Sequence, residues 1–148
     1  MSAWTKLSGK PCGKWMFSRF LSFKAPYFAT ISPRFIELRP GYCKIYVRKK
    51  RKILNHIGTV HAIAMCNMAE LAGGTMTDVT VPPTHRWIPK EMNVKYIAKA
   101  ETNLYAIAKL DQLPEFADSS EFPISVNVFD DSGKCVVEAV ITMWISKK

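Results

Sequence analysis

The sequence is short of the features that define several protein classes. Only four cysteines occur in 148 residues, Cys12, Cys43, Cys66 and Cys135. They lie far apart, form no C-x-x-C, and join no histidine cluster, so neither a disulfide scaffold nor a zinc site is expected. Reduced thiols in a cytoplasmic protein are the reading, with Cys66 packed in its apolar run as a small hydrophobe. No stretch reaches the roughly 18 uncharged apolar residues of a membrane span. The N-terminus carries no secretory h-region, because Lys6, Lys10, Lys14, Pro11, Gly13 and Arg19 interrupt it. Internal repeats and low-complexity linkers are absent. One domain over residues 1–148 is expected, with a helical extension at 1–30 and a core at 31–148.

What is present is a chain 48% hydrophobic and 22% charged, which excludes wholesale disorder. Lysine and arginine number 21 against 12 acidic residues, a formal net charge of +9. Such a balance suits phosphates, nucleic acid or an acidic membrane surface, or serves solubility alone. The aromatics do not interleave with the basic run Arg48-Lys49-Lys50-Arg51-Lys52, so no stacking platform and no specific nucleic-acid partner is expected.

Local patterns order the chain. In GKWMFSRFLSF, residues 13–23, Trp15, Met16, Phe20 and Phe23 share one side of a short helix that Pro26 ends. That side is expected to pack on the core. The other readings are a lid over an apolar ligand, or a membrane-surface contact helped by Lys14, Arg19 and Lys24. Phe35–Leu38, a turn at Pro40-Gly41 and Cys43–Val47 read as a strand pair. A long helix follows, capped by Thr59 and ended by Gly73-Gly74. Strands are then expected over Lys90–Lys99, Leu104–Leu110, Phe122–Phe129 and Cys135–Ile145, the last two joined by Asp130-Asp131-Ser132-Gly133. The fold class is α+β: an antiparallel sheet packed on one principal helix.

That helix is the informative element. Val60–Met76 contains no lysine or arginine, and Glu70 is its one acidic residue. Apolar residues run all round it, as in a buried helix. A carboxylate buried there is expected to have a raised pKa and a partner, with Asn67 one turn earlier as the candidate. A dimer seam or a solvent-filled gap would also accommodate it. Asn55 and Gly58 precede the helix, and His61-Ala62 form its first turn. Unpaired N–H groups at a helix start carry the positive end of the dipole and can hold a polarised carbonyl oxygen.

NHIGTVHAIAMCNMAELAGG resembles the signature of hotdog-fold thioesterases of the PaaI-like type. With the Trp/Phe-rich helix and the segment PYFATISPRFIELRPG, the chain looks most like a hotdog branch with an N-terminal aromatic helix. The resemblance implies a sheet wrapped around one central helix. It implies that Asn55 orients water or the thioester, and that His61 matches the motif histidine. The Ala62 N–H would polarise the carbonyl, and Glu70 would act as general base or nucleophile. It implies a homodimer, or a homotetramer built from dimers, whose sites combine two subunits. Two departures stand out. His61-Ala62-Ile63 replaces His-Gly-Gly, and Ile63 adds bulk. Pro89, with Thr84 and Lys90 nearby, stands where relatives carry a hydroxyl.

The expected activity is hydrolysis of an acyl thioester such as acyl-CoA, with coenzyme A as part of the substrate and no cofactor or metal. Gly58, Ile63 and Asn67 would line the substrate site. Trp15, Phe17 and Phe20 would cover the acyl chain, and Arg48, Lys50 and Arg51 of the basic run would meet the coenzyme phosphates. The alternative is a non-catalytic acyl-CoA or lipid-binding protein on the same fold.

Overall fold

The computed structural model describes residues 2–148. Two helices open the chain, α1 (Ser2–Ser8) and α2 (Gly13–Lys24), followed by a 3-10 segment at Pro26–Ile31. Strands β1 (Arg34–Arg39) and β2 (Tyr42–Val47) form a hairpin over Pro40-Gly41. Helix α3 (Ala62–Thr80) precedes β3 (His85–Tyr96), β4 (Leu104–Lys109), β5 (Ser119–Asp130) and β6 (Cys135–Lys147). The strands form one six-stranded sheet in the order β1-β2-β4-β5-β6-β3, every pair antiparallel. Alternation along β4 and β5 turns Leu104, Ala106, Ala108, Phe122, Ile124, Val126 and Val128 inward. These residues, with Ile141, Met143 and Ile145 of β6, close on Met65, Met68, Ala69, Ala72 and Met76 of α3. A sheet curled around one long helix is the hotdog fold. Among the described residues no helix is long and apolar enough to cross a membrane, and all four cysteines are free thiols.

The bounds of α3 differ from expectation at both ends. Its cap is His61, not Thr59, whose hydroxyl accepts a hydrogen bond from Asn55 instead. Gly73 and Gly74 do not end the helix but lie buried inside it. They are there for space. A Cβ on Gly73 would stand 3.1 Å from Ile141 Cδ1, and one on Gly74 would stand 3.2 Å from the Trp87 ring. Close approach of sheet to helix outweighs the helix propensity lost at two glycines. Pro82-Pro83 lie just beyond the true end.

The N-terminal helix is also turned the other way. Trp15, Met16, Phe20 and Phe23 do share a side, but that side faces out. Phe17, Ser18 and Ser22 face in. The sequence reading contained one N-terminal helix; the second, α1, supplies Trp4, whose ring lies 5.1 Å from Phe17. Phe17 in turn meets Phe35 edge-on at 5.1 Å. This interlock of three rings sets the rotation of α2, and Ser18 fastens it. Its hydroxyl donates to the Lys14 carbonyl at 2.7 Å and accepts the Phe35 N–H at 2.9 Å.

Ser18→Ala would leave that buried N–H without an acceptor. The substitution is expected to lower stability by about 1–3 kcal/mol, read as a drop in the urea midpoint at unchanged m-value.

Candidate active site

The approach to α3 is built by Asn55. Its Oδ1 accepts the N–H groups of Ile57 and Thr59, both at 3.1 Å, and its Nδ2 donates to Thr59 Oγ1 at 2.7 Å. The Asn55 and Thr59 backbones close the same loop at 2.9 Å, with Gly58 at φ +81° inside it. Asn55 therefore organises the loop, and its carbonyl oxygen is saturated by it. The His61 N–H then donates to the Ile53 carbonyl at 2.8 Å. His61 Nδ1 accepts the Ile63 N–H at 3.1 Å, capping the helix. Among the described residues the N–H of Ala62 meets no acceptor. One unpaired donor thus stands at the positive end of a 19-residue helix.

Glu70 lies two turns further on. It is half-buried rather than sealed from water, and one turn before it Cys66 Sγ meets Tyr96 Oη of β3 at 3.1 Å. Glu70 lines a cavity of about 300 Å³ whose apolar walls include Leu21, Phe28, Leu71, Trp87, Pro89 and Met143. Among the described residues Glu70 makes no hydrogen bond or ion pair. Its expected partner, Asn67, turns instead to the 3-10 segment and donates to Thr30 Oγ1 at 3.1 Å. Thr30 spends its own proton on the Tyr27 carbonyl, which leaves it an acceptor for Asn67. Asn67 is 5% exposed, and its Oδ1 is buried without a partner.

The same cavity contains residues that the sequence reading did not single out. Trp87 walls it and donates to Asp78 Oδ1 at 3.5 Å, and Asp78 is a second lining carboxylate. Ending the helix at Gly73-Gly74 concealed this. On a continuous helix, positions 70, 74 and 78 stack on one face. Pro89 stands in the wall, and Thr84 and Lys90 do not line the cavity. Lys90 pairs with Glu121. Thr75 is the lining residue with a hydroxyl, and it donates to the Leu71 carbonyl at 2.6 Å.

A second cavity, about 180 Å³, lies at the other end of the helix between Tyr27, Thr30, Lys52, His61, Ile63 and Asn67. The basic run thus reaches the start of α3 through Lys52, whose Nζ is held by Ser32 Oγ at 2.8 Å. Arg48, Lys50 and Arg51 are exposed, and Lys49 Nζ is spent on the Glu101 carbonyl at 2.9 Å. Trp15 and Phe20 line neither cavity, since the three-ring interlock turns them outward; α2 contributes Leu21 and Ala25 in their place. Phe17 is consumed by the core. Among the described residues no three His, Cys, Asp or Glu side chains are grouped to hold a metal ion.

Ala62 and Glu70 are eight residues apart on one helix, about 12 Å along its axis at 1.5 Å per residue. A single α3 does not bring its free N–H and its carboxylate to one carbonyl group.

The pattern of the DUF4442 family, a domain of unknown function, matches residues 13–145. Of solved structures, the crystal structure of genomics APC5556 shares 46% identity at a TM-score of 0.86, covering 97% of this chain and 95% of that one. PA5026 from Pseudomonas aeruginosa, a protein of unknown function described as a probable thioesterase, has 22% identity, a TM-score of 0.81, and coverage of 90% and 95%. The thioesterase HI1161 from Haemophilus influenzae has 9% identity, a TM-score of 0.71, and coverage of 82% of each chain. No curated protein sequence matches the chain.

The loop predicts its own test. Asn55→Ala would strip the Ile57 and Thr59 N–H groups of their acceptor and is expected to cost about 1–3 kcal/mol in urea unfolding. Asn55→Asp, which keeps the acceptor and can take the Thr59 hydroxyl as a donor in place of the amide's own bond to it, would recover the greater part.

Proposed function

The chain belongs to the DUF4442 family, and we propose that it hydrolyses an acyl thioester, acyl-CoA being the substrate class that its charge suits best. The observation carrying this reading is the apolar cavity with one unpartnered carboxylate, Glu70, in its wall. The free N–H of Ala62, supplied by a second copy of the helix, is its complement. An acyl chain fits between Leu21, Phe28, Trp87 and Met143. Glu70 takes a proton from water, the water oxygen adds to the carbonyl carbon, and the oxyanion charge falls on the Ala62 N–H. The C–S bond then breaks, and the thiolate takes up the proton that Glu70 removed. Direct attack by Glu70 through an acyl-enzyme is the variant of the same scheme.

The separation of about 12 Å between Ala62 and Glu70 makes the active unit a homodimer in this reading. Two α3 helices lying antiparallel would set Glu70 of one protomer against Ala62 of the partner subunit. The surface supports such a pairing. β3 is an edge strand with an unpaired side; Ile88 and Tyr96 on it, Ile97 just beyond it, and Ile63 at the start of α3 are exposed. Apolar residues at an unprotected sheet edge suit association across a two-fold axis. Arg48, Lys50 and Arg51, with Lys52 beside His61, suit the phosphates of coenzyme A. One feature favours a binding protein without turnover: Pro89 gives the cavity wall no hydroxyl and no N–H.

Hydrolysis of an acyl-CoA series separates the two. Glu70→Gln is expected to lower kcat by about 10²–10⁴-fold, while Asp78→Asn leaves it within a few-fold. Equal rates for wild type and Glu70→Gln would remove Glu70 from the chemistry. Saturable binding without turnover would establish the second reading. Ala62→Pro tests the oxyanion donor. Ala62 is the first helical residue, and His61 before it is extended at φ −63°, ψ 138°, so proline fits the backbone and deletes only the N–H. A kcat loss of about 10²–10³-fold at unchanged thermal midpoint is expected.

A further inference from the structure

Helix α2 is amphipathic the wrong way round for a helix that serves only packing. Its protein-facing side buries Gly13, Ser18 and Ser22 around one large residue, Phe17. Its outer side exposes Trp15 at 57%, Met16 at 49%, Phe20 at 50% and Phe23 at 83%, and Tyr27 just beyond it is 64% exposed. Large apolar side chains clustered on solvent mark an interaction surface, since isolated ones would need no explanation.

Charge identifies the occupant. The first 36 residues contain six lysines and arginines and no aspartate or glutamate. Arg19 lies within the aromatic side and Lys24 at its end, and both are exposed. Among the described residues neither forms an ion pair. Asp78 of α3 is the carboxylate that shares a groove with Lys24 and Phe20. A second copy meeting this face across a two-fold axis would oppose cation to cation. An anionic bilayer offers what the patch lacks: acyl chains for the Phe and Met side chains, a headgroup layer for the Trp15 and Tyr27 rings, and negative charge for Arg19 and Lys24. We infer that α2 docks the protein on anionic lipid membranes, with Trp15, Phe20 and Phe23 entering the interface and Arg19 and Lys24 meeting the headgroups. The docking is independent of any chemistry in the Glu70 cavity, although Leu21 of the same helix lines that cavity.

Flotation with vesicles tests it. At low salt the wild-type protein is expected to float with vesicles of equal phosphatidylcholine and phosphatidylglycerol and to remain behind with phosphatidylcholine alone. Salt should release it. Its tryptophan emission should shift to the blue and be quenched by lipid brominated on the acyl chains, a signal lost in Trp15→Phe. Phe23→Glu, and separately the pair Arg19→Glu and Lys24→Glu, should each weaken binding by about tenfold or more with the circular dichroism and thermal midpoint unchanged. Failure of the wild type to float would overturn the inference, as would undiminished binding by either variant. If Phe23→Glu instead dissociates an assembly of the wild-type protein, the face belongs to a second copy and the inference fails.

Discussion

The close contact between α3 and the concave side of the sheet governs the rest of the molecule. Met65, Met68, Ala69, Ala72 and Met76 fill the curve of the strands, and Gly73-Gly74 allow Ile141 and Trp87 to approach the helix axis. An ordinary side chain at either glycine would move the sheet away by a few tenths of an ångström. The walls of the Glu70 cavity, Trp87 and Met143 among them, belong to that sheet. Core packing and cavity shape are thus one property.

Besides the buried Asn67 Oδ1, the helix carries two further groups that meet no partner among the described residues. At the start, the Asn55 loop and the His61 cap consume the neighbouring donors and leave the Ala62 N–H. Partway along, Glu70 stands without a partner in an apolar wall. The helix separates the two groups by a distance fixed by its pitch.

The extension follows the same logic from outside. Trp4, Phe17 and Phe35 interlock, and Ser18 ties α2 to β1, so α2 has a single rotation. That rotation brings Leu21 and Ala25 to the cavity and turns four large apolar residues to solvent. One helix closes the wall of the cavity and carries the surface that membrane docking requires.

The order of the strands about the long helix, the hairpin turns, the α+β class and a central apolar helix with a single acidic residue were legible in the residues, because strand alternation and turn chemistry are local properties. The resemblance to hotdog thioesterases, and not any local pattern, singled out Asn55, His61, Ala62 and Glu70 as candidates for thioester hydrolysis. Tertiary structure decided what spacing does not encode. Thr59 yields the cap to His61 because Asn55 takes its hydroxyl; Gly73-Gly74 continue the helix because the sheet needs the space; Asn67 leaves Glu70 because Thr30 is offered to it. The outward turn of Trp15 and Phe20 belongs with these, for periodicity shows that residues share a side of a helix. Which side is buried depends on the partners that the rest of the chain brings to it.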